Sequence, residues 1–251
     1  MLIVNEDGPV LRLTLDRPEV RNAFNDVLIG RLFEAIRGIS DQTRAIVIAG
    51  SGQSFCAGGD LQWMQQASTY TEAQNFEDAL KLAKLFEAMV TSPAVIIARV
   101  HGAAFGGGCG IVAAADVAIA SENAQFAFSE VRLGLVPATI SPFVIPKIGH
   151  GHARALFSTG EAFGATRALQ IGLVHEVVSS ELLDETVDKK LKAVLTAGPK
   201  AVAAAKALAQ SPPMNLEDAA TCLAKIRASD EGKEGVTAFL ERRAPSYKVD
   251  R

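Results

Sequence analysis

Cysteine is scarce, and what there is of it suits neither of its structural uses. Cys56, Cys109 and Cys222 are the only three in 251 residues. They are too few for a disulfide framework and wrongly spaced for a zinc site. The four histidines form no His-Glu-x-x-His pattern, and His150 and His152, two apart beside Gly151, are expected on the surface. No metal is expected. Positive charge is not in excess either: a net charge of −3 offers no basic face, so nucleic acid is not an expected partner. Uninterrupted apolar runs are missing too. The most apolar stretch, from Pro93 to Ala120, is broken by Arg99, His101 and Asp116 and carries five glycines. A membrane span needs roughly 20 mostly apolar residues in a row, so this stretch reads as buried core. The opening MLIVNEDGPV has no cationic start before an apolar run and is not expected to be a secretory leader. A cytoplasmic protein is the expectation.

What remains is ordinary globular material, 49% hydrophobic and 21% charged, and long enough for one large domain or one domain with a C-terminal appendage. The first half alternates between strand and helix patterns. Val10–Leu15 is expected as a strand. A helix is expected from about Phe24 to Ile39, with Phe24, Leu28, Leu32, Ile36 and Ile39 on its apolar face and Asn22 as its cap. Ala45–Ala49 and Ala94–Val100 are continuous apolar runs of the kind found in parallel strands covered on both faces. The polar segment Leu61–Glu77 is expected as a mobile helix or lid, followed by a helix over Asp78–Met89. This order implies strand–turn–helix units stacked around parallel sheet. From about residue 140 the pattern becomes helical throughout.

Two glycine-rich turns carry the chemistry. Ser54-Phe-Cys-Ala-Gly-Gly-Asp60-Leu follows the first buried strand, and His101-Gly-Ala-Ala-Phe-Gly-Gly-Gly-Cys-Gly110 follows the second. Glycine lets a ligand approach the backbone closely, and each turn leads into a helix whose first amides are unpaired. Two such amides aimed at one oxygen would form an oxyanion hole; the bland alternative is tight helix–strand packing. Other readings fail on spacing. There is no GxxxxGK[ST] and no GxSxG, and Ile111 stands where GxGxxG needs its last glycine. No histidine is placed to activate Cys109, so a small buried cysteine is expected there.

The ordered set Asp16-Arg-Pro…Arg21-Asn-Ala-Phe, the two glycine turns, Ala124-Gln-Phe-Ala-Phe-Ser-Glu-Val-Arg-Leu-Gly-Leu-Val-Pro137, Gly160…Phe163-Gly-Ala…Ala168…Gly172-Leu-Val and Glu234-Gly-Val-Thr-Ala-Phe-Leu-Glu-Arg-Arg resembles the crotonase superfamily, the enoyl-CoA hydratase/isomerase family, over nearly the whole chain. The resemblance implies an α/β crotonase-like fold. Repeated ββα units would form two roughly perpendicular sheets, with a helical C-terminal region. It implies a core with the CoA and acyl site over residues 1–190, and a helical region over 191–251 that takes part in trimerisation. The substrate would be an acyl-CoA thioester, with no separate cofactor, and the assembly a homotrimer or a dimer of trimers. Carried over by position, Gly59 and Gly107 would donate the oxyanion amides. Ala57, Gly58, Asp60 and Leu61 would border the adenine of coenzyme A, with Ala23 close by, and Arg21 would lie near its phosphates. Phe239 and Arg242 would reach coenzyme A on an adjacent subunit.

Hydratases of the family usually place two glutamates in the site. The second is matched by Glu130, but Gly110 stands at the first. The pattern is most similar to hydratases of branched dicarboxylic acyl-CoAs, such as methylglutaconyl-CoA and isohexenylglutaconyl-CoA hydratases. Hydration of a 2-enoyl-CoA with Glu130 as acid and base is therefore the leading expectation. A lone carboxylate suits isomerisation of a 3-enoyl-CoA equally well in principle. A CoA-binding member without catalysis, a decarboxylase and a thioesterase are further branches. Trp63, Met64, Phe143 and Ile145 are candidates for the acyl pocket, and Arg132 for recognition of a second carboxylate or for a plain surface charge.

Overall fold

The computed structural model describes residues 1–250. The chain opens on a hairpin, β1 (Leu2–Asp7) and β2 (Val10–Leu15), then α1 (Asp26–Arg37) and β3 (Ala45–Gly50). Two helices follow, α2 (Leu61–Ala67) and α3 (Glu72–Thr91), then β4 (Val95–Val100), β5 (Ala103–Phe105), α4 (Gly107–Ala114), β6 (Val117–Ser121) and β7 (Gln125–Ala127). The remainder is α5 (Ser141–Thr159), β8 (Ala162–Gly164), α6 (Ala165–Gln170), β9 (Glu176–Val178), α7 (Leu183–Thr196), α8 (Pro199–Gln210), α9 (Leu216–Ala228) and α10 (Asp230–Leu240). The expected α/β architecture is present: two sheets built from strand–helix units and a helical C-terminal region. The larger sheet runs β1-β2-β3-β4-β6-β9 and is parallel except for the first hairpin; the smaller runs β5-β7-β8.

The apolar run of β3 is continuous because helices cover both faces. Ile46 and Ile48 join the core formed with α1, α3 and α4, while Ala45 and Val47 face the opposite way. On that second face α7 lays down Leu183, Val187, Leu191 and Leu195, one side chain per turn, all buried. Each such burial stabilises by roughly 1.5–3 kcal/mol relative to exposure. Arg44, buried just ahead of β3, closes that layer. Its guanidinium donates to Leu195 O at 2.9 Å, Val194 O at 3.0 Å and Tyr247 O at 2.8 Å, and also to Ala197 O. One cation thus ties carbonyls at the end of α7 to the C-terminal segment around Tyr247.

Several expectations are corrected. The first helix is capped by Asn25, whose side chain accepts from Leu28 N, and it ends at Gly38; Asn22 lies outside it. Leu61–Glu77 is not one lid segment. It holds α2 and the start of α3, which begins at a capping box between Thr71 and Gln74 and absorbs the helix expected at Asp78. The chain after residue 140 also contributes strands, β8 and β9. No described helix is long and apolar enough to cross a membrane.

Arg44→Met removes a charged donor from four carbonyls, two of which (Ala197 O and Tyr247 O) have no other donor among the described residues. Because hydrogen bonds to a charged group are worth roughly 1.5–3 kcal/mol, urea unfolding is expected to show a loss of about 3 kcal/mol. The secondary structure of the remaining native state should be unchanged.

Candidate active site

The C-terminal ends of β3 and β4, neighbours in the sheet, release the two glycine turns in the same direction. The turns then run side by side like a short parallel ladder. Phe55 N donates to His101 O, Cys56 N to Ala103 O and Phe105 N to Cys56 O, each at 2.9 Å. Phe24 bridges to the first turn from its other side: its amide donates to Gly58 O at 2.7 Å, and Asp60 N donates to its carbonyl at 2.8 Å. The Phe24 ring lies against Gly107, where a Cβ would stand 2.6 Å from it. Only glycine fits there, so Phe24 fixes the spacing of both turns.

Asn22 locks the first turn from below. It is fully buried with φ of 58°. Its Nδ2 donates to Ser51 O at 2.8 Å and Ser54 O at 2.7 Å, and its Oδ1 accepts from Arg17 N at 2.8 Å. Arg17 in turn donates to Asp60 Oδ2 at 2.6 Å in an ion pair that is nearly dry. Asp60 also accepts from the amides of Gln62 and Trp63 at the start of α2. Burial pushes the Asp60 carboxyl up, but Arg17 and those two amides outweigh it and hold the group below the usual carboxylate range.

Within this frame the amides of Gly59 and Gly107 have no hydrogen-bond partner among the described residues. Gly107 is the first residue of α4, where an unpaired amide and the positive helix end coincide. Both glycines line one cavity of about 380 Å³, and Glu130 lines it with them. Glu130 opens a short 3₁₀ turn after β7, and its Oε1 is 3.2 Å from where a Cβ on Gly106 would stand. Gly106 has φ of 48°, so its lack of a side chain serves both the bend and the carboxylate. Burial pushes the Glu130 carboxyl above its ordinary range, with only its own amide pulling the other way. Its Oε2 is buried without a partner. A carboxyl of this kind, beside two free amides, is suited to moving a proton next to a developing oxyanion.

Gly110 cannot be read as an empty place for a second acid. A Cβ there would stand 2.5 Å from Phe86 Cζ and 2.7 Å from Ile140 Cγ2. Aromatic and aliphatic packing fills the position.

A second cavity of about 600 Å³ adjoins the first and shares Ala57, Gly59 and Leu61 with it. Arg17, Glu19, Val20, Arg21, Ala23, Asp60 and Gln62 complete its walls. The expected coenzyme-binding residues Arg21, Ala23, Ala57, Asp60 and Leu61 are therefore together, and Gly58 stands at the junction, lining the first cavity. Phe239 and Arg242 line neither; Phe239 is 82% exposed on α10. Trp63 and Met64 do line the acyl-side cavity, whereas Phe143 packs on Phe86 and, like Ile145, belongs to the core. Arg132 points elsewhere and donates to Gly160 O at 2.8 Å. Cys109 is buried and donates to Ala104 O, and burial raises its thiol pKa, so it is the inert core cysteine expected. Arg17 and Asp78 had not been singled out, and Asn22 only as a helix cap. The only available signal for Arg17 and Asn22 was their place beside Asp16-Arg-Pro and Arg21-Asn-Ala-Phe.

The family profile described as enoyl-CoA hydratase/isomerase matches residues 5–250. The chain belongs to that family. It is 34% identical to a crotonyl-CoA hydratase of Syntrophomonas wolfei, over 98% of this chain and 97% of that one. It is 31% identical to a trans-2-decenoyl-[acyl-carrier-protein] isomerase of Streptococcus mutans, again over 98% and 97%. Among solved structures it is similar to a putative enoyl-CoA hydratase/isomerase (crotonase) of Legionella pneumophila, with 40% identity, a TM-score of 0.93 and 98% of each chain covered. This crotonase superfamily member is an enzyme of enoyl-CoA thioester hydration or isomerisation chemistry.

The packing at Gly110 has a direct consequence. Gly110→Ala should cost about 1–3 kcal/mol, as overpacking does, and Phe86→Leu in the same chain should recover part of it. Gly110→Glu should not yield a folded protein. Thermal unfolding of the three variants checks this.

Proposed function

We propose that this enzyme adds water across the double bond of a 2-enoyl-CoA, with Glu130 as the one group that exchanges a proton. The observation that supports this most is the half-buried Glu130 carboxylate, its pKa raised by burial, lining the same cavity as two unbonded amides. The thioester oxygen would sit between the amides of Gly59 and Gly107. As water adds at Cβ, the π electrons move toward that oxygen and an enolate forms, stabilised where the amides point. Glu130 would take a proton from the water and return one to Cα, ending as it began. The cavity supports a wet reaction, since Asn75, Asp78, Ser129 and Thr139 stand among its apolar walls.

The substrate reading is narrower than the motif pattern alone suggests. A branched dicarboxylic acyl group such as that of methylglutaconyl-CoA needs a cation for its second carboxylate. Among the described residues the cavity walls include no Arg, Lys or His, and Arg132 is engaged at Gly160. An uncharged acyl chain lying against Leu61, Trp63, Met64, Leu82 and Ile140 fits better. Coenzyme A would occupy the adjoining cavity, with Arg21 toward its phosphates and Asp60 held in place by Arg17. Phe239 and Arg242, exposed on and after α10, would serve a neighbouring subunit's coenzyme in a trimer or a pair of trimers. The packed glycine at 110 favours a second reading, in which Glu130 alone carries a proton from Cα to Cγ of a 3-enoyl-CoA, moving its double bond from Cβ=Cγ to Cα=Cβ without water.

Product mass separates the two. Incubation with crotonyl-CoA should add one water, and Glu130→Gln should lower that rate at least about 100-fold. An unchanged mass with a moved double bond, obtained from a 3-enoyl-CoA, selects the isomerase. Hydration unaffected in Glu130→Gln rules out the proton role.

Two pH effects follow from the raised Glu130 pKa. The base must be ionised, so kcat/KM should rise with pH through a midpoint above the ordinary glutamate value of about 4.3. For stability the sign is reversed. A carboxyl whose folded pKa is raised binds protons more readily when folded, so folding loses stability as pH rises from the unfolded to the folded pKa. Glu130→Gln should therefore melt higher than the parent at pH 8, and the gap should close near pH 4.

A further inference from the structure

The cavity that holds Glu130 contains another carboxylate with no partner. Asp78 on α3 lines it, is half-buried, and makes no hydrogen bond or ion pair among the described residues. Two other carboxylates withdrawn from water are paired. Asp60 holds Arg17, and Asp116 holds Lys206 at 2.7 Å. A carboxylate partly withdrawn from water without compensation is costly, so an unpaired one facing a ligand cavity calls for a partner that arrives with the ligand.

The geometry of α3 says where Asp78 stands. Asn75, Asp78, Ala79 and Leu82 follow helical spacing along one stripe, and all four line the cavity. The same stripe continues to Phe86, which fills the space at Gly110. Phe86 and Asp78 are eight residues, about 12 Å of helix, apart. The stripe thus runs from a buried aromatic ring packed at Gly110 to a cavity-lining carboxylate nearer solvent, where residues 72–77 are exposed. Asn75, one turn earlier, is engaged locally, its Nδ2 donating to Tyr70 O at 3.3 Å. Ala79 and Leu82 have no polar group. Among the described residues, Asp78 is the one carboxylate that α3 presents to the cavity.

Addition of water makes a specific demand that Glu130 alone meets poorly. The water must be held at Cβ while one of its protons leaves, and Glu130 is already bound to that leaving proton. A second acceptor is needed for the hydrogen that stays. We propose that Asp78 is that acceptor: it holds the attacking water by its retained hydrogen while Glu130 takes the other proton. The O–Cβ bond forms, the π pair moves to the thioester oxygen, and the enolate collapses as Glu130 returns the proton to Cα. Asp78 only accepts a hydrogen bond, and the only net change is the gain of one water. This assignment rests on the hydratase reading and extends it to the water.

The test compares Asp78→Ala, Asp78→Asn and Glu130→Gln with the parent, using crotonyl-CoA. Asp78→Ala should lower kcat for hydration about 100-fold and leave KM within about twofold. Asp78→Asn keeps an acceptor oxygen and should fall less. Exchange of the α-hydrogen of butyryl-CoA with deuterated water needs Glu130 and the amides but no held water. It should persist in Asp78→Ala and vanish in Glu130→Gln. Hydration by Asp78→Ala within about twofold of the parent, with Glu130→Gln inactive, overturns the role of Asp78 and leaves the hydratase reading intact. An equal fall of hydration and exchange in Asp78→Ala also overturns it, since that is general damage to the site. Full hydration in Glu130→Gln overturns the hydratase mechanism itself.

Discussion

Everything at this site depends on two peptide turns lying closer together than side chains would permit. The ladder from Phe55 to Phe105 brings the turns into contact, and the Phe24 ring, pressed against Gly107, sets how far apart they stop. Two amides can be aimed at one oxygen only if the backbones carrying them approach without Cβ atoms between them. That is why a glycine at 107 is a packing requirement before it is a chemical one. The chemistry inherits the precision of the packing, since an oxyanion hole stabilises charge by being in place beforehand.

Around that contact the polar groups divide by whether the chain satisfies them. Asn22 uses its donors and acceptor on three backbone groups, and Arg17 and Asp60 satisfy each other in a nearly dry pair. Arg44 does the same for the far layer. These are structural polar groups, and removing one partner leaves the other buried and unpaired. The amides of Gly59 and Gly107, the Oε2 of Glu130 and the carboxylate of Asp78 have no such partners. All four belong to residues lining one cavity. Unsatisfied groups gathered in one place mark where the fold is completed by a ligand rather than by itself.

Much of this was legible in the sequence, and the part that was not has physical reasons. The buried strands β3 and β4 show as apolar runs because both faces of the sheet are covered. The glycine turns show because no other residue can make them. Glu130 could be singled out only through resemblance, since nothing in a lone glutamate announces burial. Asn22 was misread as a helix cap because Asn22 and Asn25 both precede the same amphipathic run. The partners of Asn22 are carbonyls about thirty residues away, for which there is no local signal. Strand β1 buries only Leu2 and so shows no alternation, and β8 and β9 are three residues long, too short to show any. The start of α3 was readable in Thr71-x-x-Gln74, a capping box whose meaning was overlooked.

The central claim is that the Gly59 and Gly107 amides polarise a thioester carbonyl beside Glu130. Difference infrared spectroscopy of crotonyl-CoA carrying ¹³C at the thioester carbon, bound to Glu130→Gln so that it does not turn over, reads that polarisation directly. A carbonyl stretch that moves to lower frequency on binding is the result expected. A bound carbonyl with the frequency it has in free solution would contradict the account, because the two turns would then be packing and nothing more.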